Sequence, residues 1–146
     1  MNFNLSDVAS AAGSALPAGT SDLELSGVAV DSRAVRAGAL FVAVRGARAD
    51  GLDFATDAVA HGARAILASR VPVLLPERFP VVVAPEPAEA LTTLATFLRK
   101  RAGFRLAAIT GSSGKTTTKE FTAAILSRRC AVERTPQNPR HNEPYS

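Results

Sequence analysis

Short apolar runs alternate with stretches of helical period along this chain, and that alternation limits the fold more than any other feature. Ser26–Asp31 (SGVAVD) reads as a strand with Val28 and Val30 on one face, and Ala39–Val44 (ALFVAV) as a more apolar one. Leu52–His61 carries Phe54, Ala55, Ala58 and Val59 at helical spacing, with Gly62 as its stop. Ala65–Leu67 and Phe79–Val83 read as short buried strands on either side of a proline-containing loop. Glu86–Ala102 is the strongest helix. Leu91, Leu94, Ala95 and Leu98 share a face, and Arg99, Lys100 and Arg101 complement the dipole in its last turn before Gly103. Ser6 can cap a short helix that runs to Ala12 and stops at Gly13. The pattern predicts an α/β fold, a small mixed α/β unit followed by a strand, loop and helix.

The domains expected from this pattern are 1–84, a linking helix over 85–103, and a second unit over 104–146. The second holds one strand (Arg105–Ile109), a tight loop (Thr110–Lys115) and one helix (Thr116–Ser127). One such unit cannot cover both faces of a parallel sheet, so it reads as incomplete. The chain is 47% apolar, which excludes wholesale disorder. With 28 Ala and no Trp, the core must be built from Val, Leu, Ile and Ala. Fourteen Arg against three Lys is the composition of a GC-rich coding sequence. The net charge of +4 is small and dispersed, and gives no argument for nucleic acid. Cys130 stands alone, so no internal disulfide or thiolate zinc site is possible, and it reads as a small apolar filler. His61 and His141 lack metal-ligand spacing, and His61 reads as a structural residue at a helix end. The first twenty residues contain no basic residue and no long apolar block, and no run is long enough to span a bilayer. A soluble, cytoplasmic, reducing setting is expected.

The segment AAITGSSGKTTTKE (107–120) carries the clearest chemistry. An apolar run enters Gly111-Ser112-Ser113-Gly114-Lys115-Thr116, and a helix leaves it. Glycines let successive N–H groups turn inward, and the helix N-terminus adds positive potential at the same point. Lys115 supplies a charge for outer phosphates, Thr116 a hydroxyl for Mg²⁺, and Thr117 follows in the same turn. The strict phosphate-loop pattern requires glycine where Ile109 stands, so this is the shorter Gly-x-x-Gly-Lys-Thr form. An ordinary glycine-rich turn is the alternative. Lys119 and Glu120 read as helix surface.

A second group of residues follows the first two strands. Asp31-Ser32-Arg33 lies at a strand's carboxyl end, where open α/β sheets place ligands. The other reading is an Asx turn with an exposed arginine. Arg45 and Arg48 flank Gly46 and could bind a diphosphate through charge-assisted bonds, or could sit in a solvated loop.

Taken together these blocks resemble the Mur ligase family, which builds the peptidoglycan stem peptide. The resemblance rests on GSSGKTTTKEFTAAIL (111–126), and on Asp31-Ser32-Arg33, Gly38–Ala43, Gly46, Asp50-Gly51, Phe54, Ala58 and Gly62-Ala63 in order. Lys119–Leu126 is most similar to the member that joins D-alanyl-D-alanine to UDP-N-acetylmuramoyl-tripeptide. The N-terminal block fits equally the sister that adds the third stem residue. The resemblance implies a UDP-substrate domain followed by the first strand, loop and helix of a central ATP domain. It implies ATP and Mg²⁺ as cofactors and an acyl-phosphate route to an amide. It assigns nucleotide binding to Gly111 through Thr117, γ-phosphoryl stabilisation to Lys115 and metal ligation to Thr116. UDP-N-acetylmuramoyl-peptide contact falls to Asp31, Ser32, Arg33, Arg45 and Gly46. The expected protein is a monomer that binds no nucleic acid and inserts in no membrane. The family's second acidic metal ligand, carbamylated lysine and closing domain match nothing in this sequence. After Thr135 only Asn138 fits the family, Gln137 replaces a glycine, and the tail from 136 is expected to be disordered. Such a chain reads as a ligase fragment inactive alone. A binding module for a UDP-sugar or nucleotide and an unrelated nucleotide hydrolase are the alternatives.

Overall fold

The computed structural model describes residues 3–46, 49–103 and 105–135. Arg48 and the tail from residue 136 lie outside the described residues. The chain divides into two compact units between residues 104 and 105.

The first unit opens with strand β1 (Phe3–Asn4) and helix α1 (Leu5–Ala11). Asn4, not Ser6, occupies the N-cap, and its N–H donates to the Asp7 carboxylate at 3.0 Å. Ser6 lies inside the helix, where its N–H and Oγ donate to Asp22 at 2.9 and 2.8 Å. Strand β2 (Glu24–Leu25) pairs antiparallel with β1, a pairing too short to leave a sequence pattern.

Next come β3 (Val28–Ala29) and β4 (Leu40–Val42), then helix α2 (Ala55–Ala60), β5 (Ala65–Ala68), β6 (Val81–Val83) and helix α3 (Pro87–Ala102). The strands form a parallel sheet in the order β3-β4-β5-β6. One register row runs Ala29, Phe41, Ile66, Val81. Leu40, Val42, Leu67 and Val82 pack on one face with Val8 of α1 and Leu94 and Leu98 of α3. Phe41, Ile66 and Val81 pack on the other with Leu52, Ala55 and Ala58. Burial on both faces is what a parallel sheet requires, and explains why β4 and β5 are apolar throughout rather than alternating.

Several expectations are refined. Val28 and Val30 do not face the core. They are 41% and 60% exposed, because β3 is the sheet edge and Ala29 carries the inward position. The helical stretch from Leu52 begins as a 3-10 turn over Gly51–Phe54, since the Asp50 side chain accepts the Leu52 N–H at 3.0 Å and tightens the entry. Phe54 is left largely exposed at the turn's end. On α3 the buried stripe is Pro87, Ala90, Leu94 and Leu98, and Ala95 faces out. That stripe enters the first unit's core, so the helix expected as a linker is a packed layer of this unit. Arg101 in its last turn ion-pairs with Asp7 of α1 at 2.8 Å and lies over the Phe97 ring.

In the second unit the described residues form helix α4 (Lys115–Leu126). The strand expected over Arg105–Ile109 is not formed. A strand exists through its ladder, and no described segment offers one, so Leu106 is 76% exposed. Phe121 and Ile125 of α4 are exposed for the same lack of a covering layer. Cys130 is also exposed, in the turn where its N–H donates to Leu126 O, and does not fill a core.

Candidate functional site

The first unit presents its candidate residues at the carboxyl ends of its parallel strands. Asp31 follows β3 and caps a 3-10 turn over Ser32–Ala34 by accepting the Arg33 N–H at 3.0 Å. The same carboxylate is gripped by the Arg33 fork, Nε to Oδ1 at 3.0 Å and Nη2 to Oδ2 at 2.7 Å. This hydrogen bonding first, and the Asp31 charge second, raise the Arg33 pKa above its ordinary value. Asp31-Ser32-Arg33 is therefore the Asx turn that the sequence allowed, with its arginine side chain turned onto its own aspartate. Ser32 is buried at 5% exposure, while Arg33 stays exposed.

Arg45 follows β4 in a small antiparallel loop closed by its bridge to Asp50 and by Gly46 N–H to Ala49 O at 2.9 Å. Gly51 lets this loop fold back on β4. Its N–H donates to Val44 O at 3.1 Å, and a Cβ there would meet Val44 N and O at 2.7 Å. Arg45 and Gly46 are exposed, and the loop places them beyond the same sheet edge as Asp31.

The second unit holds the glycine loop. Gly111 adopts φ 151° and Gly114 φ 74°, both in the region that favours glycine, and Gly114 is the N-cap of α4. Lys115 opens the helix, and its Nζ turns back to donate to Gly111 O across the loop. Thr116 and Thr117 lie in the first turn, exposed, as are Ser112 and Ser113. The loop thus gathers a positive helix end, a cation and hydroxyls around one point. That donor set suits phosphate oxygens, with a Thr116 hydroxyl able to join a hard divalent cation.

An open hollow of about 510 Å³ flanks α4, lined by Thr116, Thr117, Glu120, Phe121, Ala124 and Arg134. Glu120, expected with Lys119 as plain helix surface, borders it. Lys119 Nζ donates to Thr135 O at 2.7 Å, and Arg134 pairs with Glu120, so both hold the segment after the helix. Sequence reasoning missed this because the partners are fourteen or more residues away in an irregular stretch. His61 ends α2 with Nδ1 2.8 Å from Asp57 O, a structural contact as expected. Among the described residues no His, Cys, Asp or Glu cluster could hold a metal, and no helix is long and apolar enough to cross a membrane.

Fold and loop together define an α/β protein, with a parallel-sheet unit and a second unit whose glycine loop opens a helix. The sequence profile "Mur ligase family, catalytic domain" matches residues 24–99, and "Mur ligase middle domain" matches residues 109–145. The chain belongs to the Mur ligase family. It is 44% identical over 107 residues to the UDP-N-acetylmuramoyl-tripeptide–D-alanyl-D-alanine ligase of Escherichia coli, covering 73% of this chain and 23% of that one. It is 37% identical over 109 residues to the UDP-N-acetylmuramoyl-L-alanyl-D-glutamate–2,6-diaminopimelate ligase of Brucella melitensis, covering 75% and 22%. Among solved structures, MurF from Acinetobacter baumannii matches with a TM-score of 0.78 at 28% identity, over 90% of this chain and 28% of that one. MurF from Thermotoga maritima, solved in complex with ADP, matches with a TM-score of 0.59 at 38% identity, over 76% and 25%. The chain spans about a quarter of the length of the curated relatives it matches.

Proposed function

We propose that the chain supplies the UDP-substrate domain and the nucleotide phosphate loop of an ATP-dependent ligase of peptidoglycan precursor synthesis. The ligase adds D-alanyl-D-alanine to UDP-N-acetylmuramoyl-tripeptide. The observation that carries this reading is the loop Gly111–Thr116, with Lys115 closing over Gly111 at the N-terminus of α4. The relative solved with ADP supports a nucleotide as its ligand.

In this reading the backbone N–H groups of Gly111 to Gly114 and of Lys115 to Thr117 receive the phosphates. Lys115 leaves Gly111 O to neutralise the outer phosphate, where charge builds as the phosphoryl group moves to the substrate carboxylate. Thr116 would hold Mg²⁺, which screens phosphate charge when bound. Asp31, Ser32, Arg33, Arg45 and Gly46 form the edge that takes the UDP end of the substrate. Uridine is matched by polar groups of the Asp31 turn and the diphosphate by arginine, since a guanidinium fork fits phosphate oxygens.

Calorimetric titration of the purified chain with Mg·ADP and with UDP-N-acetylmuramoyl-tripeptide tests the reading. Saturable binding of both is expected, and binding of neither refutes it. The identity to the diaminopimelate ligase favours one second reading, the preceding ligation step. Preference for UDP-N-acetylmuramoyl-dipeptide over the tripeptide in the same titration would select it.

A further inference from the structure

Lys119 and Glu120 follow the glycine loop in sequence, yet neither belongs to the phosphate contacts proposed for Gly111–Thr117. Their partners lie beyond a chain reversal. After α4 the chain turns through Ser127–Cys130, where the Arg129 and Cys130 N–H groups donate to Leu126 O at 3.0 and 2.9 Å. The irregular stretch that follows comes back beside the helix. Lys119 Nζ donates to Thr135 O at 2.7 Å, and the Arg134 guanidinium pairs with the Glu120 carboxylate. Lys119 Nζ also lies 3.8 Å from Glu120 Oε1. Two consecutive helix residues therefore grip two consecutive residues of the returning chain, one through a backbone carbonyl and one through a side chain. The Lys119 side chain is only 21% exposed, well covered for a lysine.

Position gives this grip its use. Glu120 stands one helical turn after Thr116 on the same side of α4. The hollow beside α4 is walled by that side of the helix, Thr116 and Thr117 included, and Arg134 supplies the part of the wall that the helix does not. A bare carboxylate one turn from a phosphate site would repel the ligand. Paired with Arg134 and close to Lys119, Glu120 instead fixes the returning chain where it borders the hollow.

We propose that Lys119 and Glu120 are positioning residues of the nucleotide site. By holding Thr135 and Arg134 they set the wall of the hollow beside Thr116 and Thr117 before nucleotide arrives, so that binding does not have to order it. The proposal deepens the nucleotide reading of the glycine loop and rests on it.

The test is calorimetric titration of the whole chain with Mg·ADP, in Glu120→Gln, Lys119→Met, and the charge-swapped double variant Glu120→Arg with Arg134→Glu. Helix content is checked by circular dichroism, and Arg128→Ala, in the turn after α4, serves as a control. Glu120→Gln decides the matter, because the two possible effects differ in sign. Loss of a negative charge near phosphate tightens Mg·ADP if charge alone acts, whereas loss of the grip weakens it. A weakening of about threefold or more is expected, in keeping with the modest strength of an exposed pair. Lys119→Met should weaken binding by at least as much, and the swapped pair should recover most of the loss caused by Glu120→Gln. Unchanged or tighter Mg·ADP binding in Glu120→Gln overturns the proposal and leaves the nucleotide reading standing. A loss that the swapped pair does not recover overturns the pairing of Glu120 with Arg134 as its cause. Failure of the unaltered chain to bind Mg·ADP overturns the nucleotide reading and this proposal with it.

Discussion

The Arg33 guanidinium and the Asp31 carboxylate form a two-pronged pair, 3.0 and 2.7 Å long, across a single intervening residue. The pair fixes a turn at the end of an edge strand whose own ladder is only two residues long. Both side chains are open to water, so the ion pair adds little stability. What Asp31 contributes is geometry, through the cap on the Arg33 N–H.

Replacing Asp31 by Ala should therefore have a small effect on folding and a larger one on ligand binding. The loss of the cap is expected to cost about 1 kcal/mol. UDP affinity should fall several-fold, because the turn and Arg33 lose their fixed positions. Urea midpoints and UDP titration of the same variant separate the two. A large stability loss with normal UDP affinity would contradict this division.

Leu94→Ala should be the severe change in the first unit. Leu94 is 1% exposed and joins α3 to the sheet face built from Leu40, Val42 and Leu67. Truncation of such a leucine costs about 2–5 kcal/mol. A matching drop in the urea midpoint is expected. A change near zero would show that α3 does not pack into this unit.

Gly51→Ala should disturb the Arg45 loop from a distance. Its Cβ would sit 2.7 Å from Val44 backbone atoms, which have no flexible side chain to yield. The loop must move, so UDP affinity should fall together with stability. Retention of both at the level of the unaltered chain would argue against the close approach.

Acid should loosen the junction of α1 with the loop before β2. The backbone N–H and hydroxyl of Ser6 lower the Asp22 pKa below 3.8. The folded carboxylate is thus more acidic than the unfolded one. Its contribution is present above the unfolded value and is lost as pH falls through the lower folded value. Asp22→Asn should remove that part of the pH dependence, seen as a smaller fall in the urea midpoint below about pH 4.

Lys115→Ala should abolish most nucleotide binding and leave the first unit unchanged. Lys115 carries the positive charge within the loop, and the loss of a charge-assisted bond should weaken Mg·ADP at least about tenfold. UDP affinity should stay the same. A parallel loss of UDP binding would contradict separate sites.

The local signals were legible wherever a residue's role depends on its neighbours in sequence. The glycine loop is one case, since Gly111 and Gly114 adopt the left-handed backbone that only their residue type makes easy. The apolar runs of β4 and β5 are others, because burial on both faces writes itself as an unbroken apolar string, and so is α3, whose one buried stripe writes itself as helical spacing. The family, too, was readable from the two blocks around residues 31–63 and 111–126.

Tertiary structure decided what depends on distant partners. Arg105–Ile109 has the composition of a strand and no ladder among the described residues, so composition alone could not make it one. Asn4 took the cap from Ser6 because Asp22, far along the chain, claimed the serine. Only the pairing of four parallel strands made β3 an edge with Val28 and Val30 turned to solvent, and only the side-chain geometry showed Arg33 occupied by Asp31. Sequence spacing encodes contacts within a turn or a helix. Contacts between strands are set by pairing, and pairing is decided when the whole core closes.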